Sequence, residues 1–187
     1  MATENVEGQI VVKKEPCVDY SFQFNMARER AEKRIFNLMC ALSKKLFETQ
    51  TRIGLLIVLG TFDRYPDYSV PGMRQLGKNT IQKYINIAFG QFEIETEKLF
   101  ETGEDGAIII NHNGQVIGTG IYLTVENPSL DIPEGAGTRH ISAASFSTRD
   151  DVIATFTLSE ENLTVRMWKD GAFTEQYCPG EDEKAGE

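Results

Sequence analysis

The chain has 187 residues, of which 41% are hydrophobic and 25% are charged. This length and composition suit one globular domain with an ordinary hydrophobic core, and they exclude an intrinsically disordered chain. The formal net charge of −9 argues against a protein that binds nucleic acid through a basic patch, although a few local cations can still hold an anionic ligand.

The N-terminus and the apolar runs bear on cellular location. The first eight residues are polar and acidic, unlike a secretory signal. The longest apolar run, residues 53–59, is shorter than the ~20 residues that a membrane-spanning helix needs. Cys17, Cys40 and Cys178 are scattered and form no metal-binding motif, which indicates three reduced thiols. We expect a cytoplasmic protein that binds neither membranes nor nucleic acid.

The first half of the chain is expected to supply one long helix and one buried strand. Residues 1–20 show no periodicity and are interpreted as a flexible N-terminal arm. Apolar residues recur at helical spacing over residues 24–47, and residues 53–60 form the continuous apolar run of a strand buried on both faces. The segment that follows is predicted to form a loop and then two helices: residues 61–72, 79–89 and 92–101.

The second half is rich in strands. Ala107–Asn111 reads as a buried strand, and Asn113-Gly114 is a strong hairpin signal that returns the chain along residues 115–123. A loop over residues 128–137, a helix and two further strands are predicted next: Thr138–Phe146, Val152–Leu158 and residues 163–168. Residues 176–187 lack a core pattern and are interpreted as an acidic disordered tail. The pattern predicts an α/β (α+β) fold with a central mixed β-sheet flanked by helices, in one domain over residues 21–175.

Asp105 stands directly before a predicted buried strand. The sheet would fix its backbone, and Gly106 would let a ligand approach the main chain closely. Aspartate is a hard oxygen ligand that suits Mg²⁺ or Mn²⁺ bound to phosphate. An aspartate that merely caps a turn would give the same three letters, DGA.

The sequence Gly137-Thr138-Arg139-His140 lies about thirty residues further on. Arginine makes two parallel hydrogen bonds to phosphate, histidine adds a donor, and a helix that begins here would offer free backbone N–H groups. The alternative is a helix capped by Thr138 with a solvated Arg139.

Two weaker motifs accompany these two. Gly118, Gly120 and Tyr122 indicate either a β-bulge or a groove in which a purine lies against small residues. Ser159-Glu160-Glu161 at the end of a predicted strand would supply a hydroxyl to phosphate or would simply form a turn.

Taken in order, these motifs resemble the diadenylate cyclase family, also known as the N-terminal domain of the DNA-integrity-scanning protein. The family's DGA strand and hairpin are similar to DGAIIINHNGQVIGTGIYL. Its GTRH helix, its strand ending in SEE and its last strand are similar to GTRHISAASFSTRDDVIATFTLSEENLTVRMWKDG. The resemblance covers roughly residues 100–172 and is to soluble archaeal-type members. The chain departs from the family's Arg-His-Arg motif at Ile141, and it has Asp150-Asp151 where Thr-Asp is more usual.

The resemblance implies that two ATP molecules condense to cyclic di-AMP and two pyrophosphates. The 3′-hydroxyl of one ATP would attack the α-phosphate of the other across a face-to-face homodimer or a higher homo-oligomer. Asp105 would bind Mg²⁺ or Mn²⁺ and act in catalysis with Arg139 and His140. The predicted nucleotide contacts are the ribose side (Gly106, Ala107), the adenine groove (Gly120, Tyr122, Leu123), the triphosphate grip (Gly137, Thr138, Arg139, His140) and the outer phosphate or metal contacts (Ser159, Glu160).

This assignment requires Asp105 and the Arg139-His140 pair to converge on one triphosphate. Two other functions stay open at this point. One is a sensor that binds ATP or cyclic di-AMP without turnover, for which Ile141 is the sequence support. The other is an interaction domain that uses its long helix and acidic tail as a partner surface.

Overall fold

The computed structural model describes residues 20–62, 73–75, 105–125, 132 and 137–180. In this part of the chain two helices and seven strands form. They are α1 (Tyr20–Glu48), β1 (Leu55–Gly60), β2 (Met73–Gln75), β3 (Ala107–Asn111), β4 (Val116–Leu123), α2 (Thr138–Phe146), β5 (Val152–Leu158), β6 (Val165–Lys169) and β7 (Ala172–Tyr177).

All seven strands belong to one mixed sheet. Its order is β2-β4-β3-β1-β5-β6-β7, with β1 and β3 parallel and every other neighbouring pair antiparallel. The predicted fold class, a mixed sheet flanked by helices, is confirmed.

The two helices cover opposite faces of this sheet. On one face, Ile35 and Met39 of α1 belong to a core with Ile57 and Phe156. On the other face, Ala143, Ala144 and Phe146 of α2 belong to a core with Val58, Ile109 and Trp168. Every residue of β1, β3 and β5 is buried, which explains the continuous apolar run that predicted β1.

Helix α2 is held on the sheet by hydrogen bonds from distant residues. The Thr155 hydroxyl of β5 donates to the Ala143 carbonyl over 2.8 Å. At the end of the helix the Gly171 N–H donates to the Ser147 hydroxyl over 2.9 Å. These contacts fix the C-terminal half of α2 on the sheet.

Several predicted boundaries move by a few residues. Helix α1 begins at Tyr20 rather than Phe24, so the predicted arm is wrong at its last residue. Strand β6 begins two residues later than predicted because Leu163 adopts a positive φ of 58°, which breaks the extended conformation.

Strand β7 was not predicted, and the predicted tail is wrong where it begins. Gln176 pairs with Arg166 and Tyr177 pairs with Val165. The strand escapes detection because it is an exposed edge strand, and its residues show no buried alternation. The remaining predictions, which are residues 1–19, most of the loops at 61–72 and 128–137, the helices at 79–89 and 92–101 and the tail from residue 181, lie outside the described residues.

Candidate nucleotide-binding site

A cleft of about 960 Å³ opens where α2 begins above the sheet. Its floor is one row of residues across five strands. Leu56 of β1 pairs with Ala107 of β3, which pairs with Ile121 of β4. On its other side Leu56 pairs with Thr157 of β5, which pairs with Arg166 of β6. Residues opposite one another in register share a sheet face, so this row runs beneath the cleft from an apolar end to a cationic end.

The structure brings most of the predicted site residues together in this cleft. Those that line it are Asp105, Gly106, Ala107, Tyr122, Leu123, Gly137, Thr138, Arg139, His140, Ser159 and Glu160. Gly120 does not line it. Gly120 has a positive φ of 63°, and its Cα lies only 2.8 Å from where a β-carbon on Gly106 would stand. The missing side chain of Gly106 therefore lets the two backbones pack closely. The predicted contact between Gly120 and a nucleotide stays a prediction.

Asp105 and Arg139, which are 34 residues apart in sequence, meet at the mouth of the cleft. Nη2 of Arg139 lies 3.4 Å from Oδ1 of Asp105, and Nη1 lies 3.3 Å from Oε2 of Glu160. The Asp105 and Glu160 side chains are 80% and 59% exposed. Ion pairs this exposed are weak because water screens them, so an incoming anion competes with the carboxylates for Arg139 at little cost.

Gly54, just before β1, makes room for the Arg139 side chain. A β-carbon on Gly54 would lie 2.8 Å from Cζ of Arg139 and closer still to Nη1. That separation is shorter than van der Waals contact allows. The guanidinium therefore rests against bare backbone, and any larger residue at position 54 would displace it.

The first turn of α2 faces the cleft without a side-chain cap. Gly137 is the N-cap residue, with φ −66° and ψ 168°, and no side chain accepts a hydrogen bond there. The alternative in which Thr138 caps the helix is wrong, because Thr138 is already the first helical residue. The uncapped helix start offers N–H donors and partial positive charge to an anion.

His140 lies deeper in the site than the sequence suggests. It is only 8% exposed, and its ring packs edge-on against Trp168 at a centroid distance of 5.9 Å. Burial, followed by the positive charges of Arg166 and Arg139, lowers the pKa of His140 from its ordinary value and so favours the neutral imidazole. In the Arg139-His140 pair, Arg139 therefore supplies the positive charge and His140 a hydrogen-bonding group.

Tyr122 borders the cleft, but its ring belongs to the other face of the sheet. Ile121 and Leu123 pack in the core beneath α2, and side chains alternate along a strand. Cζ of Arg74 lies 5.5 Å from the Tyr122 ring centroid, with which it is paired in register. Ile121 and Leu123 supply apolar surface on the side of the cleft, and the predicted contact of Tyr122 with adenine stays a prediction.

Sequence reasoning missed several cleft residues, of which Arg52 and Arg166 matter most. Nη1 of Arg52 donates to the Glu161 carbonyl over 2.8 Å. Arg166 stands at the cationic end of the floor row. Neither belongs to a motif, and only the strand register places Arg166 in the cleft. The other residues missed are Leu56, Ile121, Ser142, Leu158 and Asn162.

The oxygen ligands of the cleft suit a cation that arrives with phosphate. Within the described ranges, no group of three or more His, Cys, Asp or Glu side chains converges on a point. Asp105 and Glu160 are the carboxylates beside Arg139. Magnesium keeps several waters and is commonly held by one or two carboxylates together with substrate phosphates. The site therefore fits Mg²⁺ or Mn²⁺ carried by a nucleotide rather than an ion bound by protein alone.

Comparison with known families identifies the family of this chain. The family model described as "DisA bacterial checkpoint controller nucleotide-binding", abbreviated DAC, matches residues 47–173, which is more than half of the chain. The chain belongs to the DAC family. The match runs from the end of α1 into β7, so all the cleft residues lie within the DAC region.

Curated relatives align with a shorter part of the chain. A diadenylate cyclase of Methanocaldococcus jannaschii is 42% identical over 75 residues, which is 40% of this chain and 24% of that protein. A diadenylate cyclase of Haloferax volcanii is 36% identical over 75 residues, which is 40% of this chain and 28% of that protein. The aligned stretch thus spans about a quarter of the length of these relatives.

Solved structures give more distant similarity. DacA from Staphylococcus aureus is 21% identical with a TM-score of 0.48, over 84% of this chain and 91% of that chain. A hypothetical membrane spanning protein from Bacillus cereus is 19% identical with a TM-score of 0.49, over 87% of this chain and 64% of that chain. In this DAC-family chain, neither helix of the described part is both long enough and apolar enough to cross a membrane.

Proposed function

We propose that this protein is a diadenylate cyclase that joins two ATP molecules into cyclic di-AMP and releases two pyrophosphates. The observation that carries the proposal is the meeting of Asp105 and Arg139 at 3.4 Å, in one cleft of a DAC-family chain. The two aligned relatives both bear the name diadenylate cyclase.

The polarity of the cleft suggests how ATP lies in it. Adenine suits the apolar wall of Ile121 and Leu123, and the ribose then lies over Gly106 and Ala107. The phosphates extend toward Arg139 and the uncapped start of α2. This orientation puts apolar surface against the base and donors against the anionic groups.

Charge stabilisation is the chemistry that this site supplies. The 3′-hydroxyl oxygen of one ATP bonds to the α-phosphorus of the other, the bond to the β-phosphate breaks, and pyrophosphate leaves with the electron pair. Asp105 orients the hydroxyl and receives its proton, while Arg139 and the helix start stabilise charge on the phosphate. A divalent cation held by Asp105, with Glu160 nearby, would add positive charge there.

A second copy of the chain completes the reaction. Each cleft holds one ATP, and closing a symmetric ring needs two ATP molecules facing each other. The exposed mouth of the site, where Asp105 is 80% exposed, is open to such an approach. We therefore include a face-to-face homodimer in the proposal.

The product assay tests the proposal directly. Purified protein is incubated with ATP and Mg²⁺ or Mn²⁺, and cyclic di-AMP and pyrophosphate are measured. Asp105→Asn should lower turnover by a factor of about 100 or more, the size of a typical contribution from a proton-transferring group. Asp150→Asn, a matched change at an exposed residue outside the cleft, should leave turnover within about twofold.

ATP binding without cyclic di-AMP under any of these conditions would remove the cyclase proposal and favour the nucleotide sensor supported by Ile141. Undiminished turnover of Asp105→Asn would leave the cyclase proposal standing and take Asp105 out of the mechanism.

A further inference from the structure

Arg52 and Arg166 are the cleft cations that the proposed mechanism leaves unused. Both line the cleft that holds Arg139. The position where the family motif has its second arginine is Ile141, which does not line the cleft. The cleft therefore has more positive charge than its motif accounts for, and this charge lies toward β5 and β6.

The two arginines differ from Arg139 in their electrostatic surroundings. Arg139 is shared by two carboxylates. Within the described residues, neither Arg52 nor Arg166 has a carboxylate within ion-pair distance. Arg52 bonds to a backbone carbonyl, and Nε of Arg166 donates to the Gln176 side-chain oxygen over 2.8 Å. In a chain of net charge −9, two cations without carboxylate partners beside one cleft indicate an anionic ligand.

Arg166 is held so that its terminal nitrogens remain available. Two contacts with β7 hold the Arg166 side chain. Its Nε donates to Gln176, and its Cζ lies 5.5 Å from the centroid of the Phe173 ring. Both contacts use Nε and the face of the guanidinium. The two terminal NH₂ groups are left for a planar, two-bond contact with phosphate.

The floor row sets the distance that the ligand must cover. From Ala107 of β3 to Arg166 of β6 there are three strand steps, through β1 and β5. At a spacing of about 4.8 Å per step, the backbones are roughly 14 Å apart. A nucleotide whose ribose lies over Ala107 therefore needs a chain of phosphates to approach Arg166, and a monophosphate would end near Arg139.

We propose that Arg52 and Arg166 form a distal phosphate subsite that binds the β- and γ-phosphates of ATP and holds the departing pyrophosphate. This inference rests on the proposed orientation of ATP in the cleft. The subsite makes the cleft selective for nucleoside triphosphates over monophosphates. It also supplies, from β6 and from the segment before β1, the charge that Ile141 does not supply from α2.

Binding measurements test this subsite without any need for turnover. Calorimetric titrations of the full chain use Mg·ATP, AMP and inorganic tripolyphosphate. Arg166→Gln and Arg52→Gln should each weaken ATP and tripolyphosphate binding by about tenfold or more, the effect of losing a charged hydrogen bond. AMP affinity should change by less than about twofold. Arg166→Lys keeps the positive charge but cannot make two parallel hydrogen bonds to phosphate. It should therefore lose less affinity for ATP and tripolyphosphate than Arg166→Gln.

A matched control comes from α1. Arg30→Gln removes one positive charge from an exposed position outside the cleft, and it should leave all three affinities unchanged. The fluorescence of Trp168, the single tryptophan, provides a second signal. Its ring is 1% exposed and lies 5.7 Å from Phe173, the ring over which Arg166 lies, so a ligand at Arg166 should change this fluorescence. Tripolyphosphate lacks adenine and does not absorb the exciting light, so its titration can be followed by this fluorescence.

The outcomes separate this inference from the cyclase proposal. Equal losses of ATP and AMP affinity in Arg166→Gln, unchanged affinities in both glutamine variants, or a wild-type protein that binds no polyphosphate would each overturn the subsite. Selective loss of ATP and tripolyphosphate affinity would support it, even if the wild-type protein made no cyclic di-AMP. In that case the subsite stands and the cyclase proposal fails.

Discussion

Arg139 depends on a glycine that is far from it in sequence. All the atoms that a β-carbon on Gly54 would meet most closely belong to the Arg139 guanidinium. The neighbour is therefore the far end of a flexible side chain rather than backbone or core. A larger residue at position 54 would move the guanidinium away from Asp105 and Glu160 without disturbing the sheet.

Gly54→Ala should accordingly damage the site and spare the fold. We expect a thermal unfolding midpoint within about 2 °C of wild type, since surface changes usually alter stability by less than ~0.5 kcal/mol. We expect ATP affinity and turnover to fall by about tenfold, because Arg139 loses its alignment. Calorimetry and the product assay measure both quantities.

A double-mutant cycle isolates the cause. The Arg139→Ala variant lacks the guanidinium that Gly54→Ala would displace. Adding Gly54→Ala to that variant should therefore lower ATP affinity and turnover little further. Additive losses in the double variant would mean that Gly54 acts through something other than Arg139.

At the level of elements, the first turn of α2 and the start of β3 must stay in fixed relation. Helix α2 is fixed by the hydrogen bond from Thr155 and by Phe146, its last residue, which belongs to the same buried core as Trp168. Strand β3 is fixed at its start by the close approach of Gly106 to the β4 backbone. Gly106 has φ 114°, and a β-carbon there would lie 2.7 Å from the Gly120 carbonyl carbon.

Gly106→Ala, unlike Gly54→Ala, should therefore destabilise the fold. The positive φ is strained for an alanine, and the new methyl group meets backbone that cannot rotate away. We expect the free energy of unfolding in urea to fall by about 2 kcal/mol or more. A stability equal to wild type would show that the β3–β4 pair adjusts more easily than its geometry suggests.

For the whole molecule, the proposed face-to-face arrangement makes activity depend on protein concentration. If only paired clefts close the ring, the specific activity should rise with protein concentration until dimers are saturated. Product formation per protomer, measured across a wide dilution series with saturating ATP, tests this directly.

Mixing with the inactive variant gives an independent check. An excess of Asp105→Asn should lower the activity of wild-type protein, because mixed dimers have only one competent aspartate for two attacks. Asp150→Asn added in the same excess serves as the control. Specific activity that does not vary with dilution and is unaffected by the Asp105→Asn excess would contradict catalysis between protomers.

The local sequence determined most of the elements that carry the site. Apolar runs predicted β1 and β3, alternating β-branched residues predicted β5, and Asn113-Gly114 predicted the hairpin. The span Thr138–Phe146 was predicted to the residue. These features depend on periodicity and turn chemistry, which neighbouring residues express without any tertiary contact. The DGA and GTRH motifs likewise marked Asp105 and Arg139 from the sequence.

Only the tertiary structure decided which residues surround those motifs. The sheet order places β6 two strands from β1, so Arg166 joins a cleft that no local pattern connects it with. Three features arise from packing between segments that are distant in sequence. They are the space at Gly54 for Arg139, the close backbone contact between Gly106 and Gly120, and the position of the Tyr122 ring beside Arg74. Strand β7 was not predicted for a related reason. This edge strand is defined by its pairing with β6, and its own exposed residues show no buried pattern.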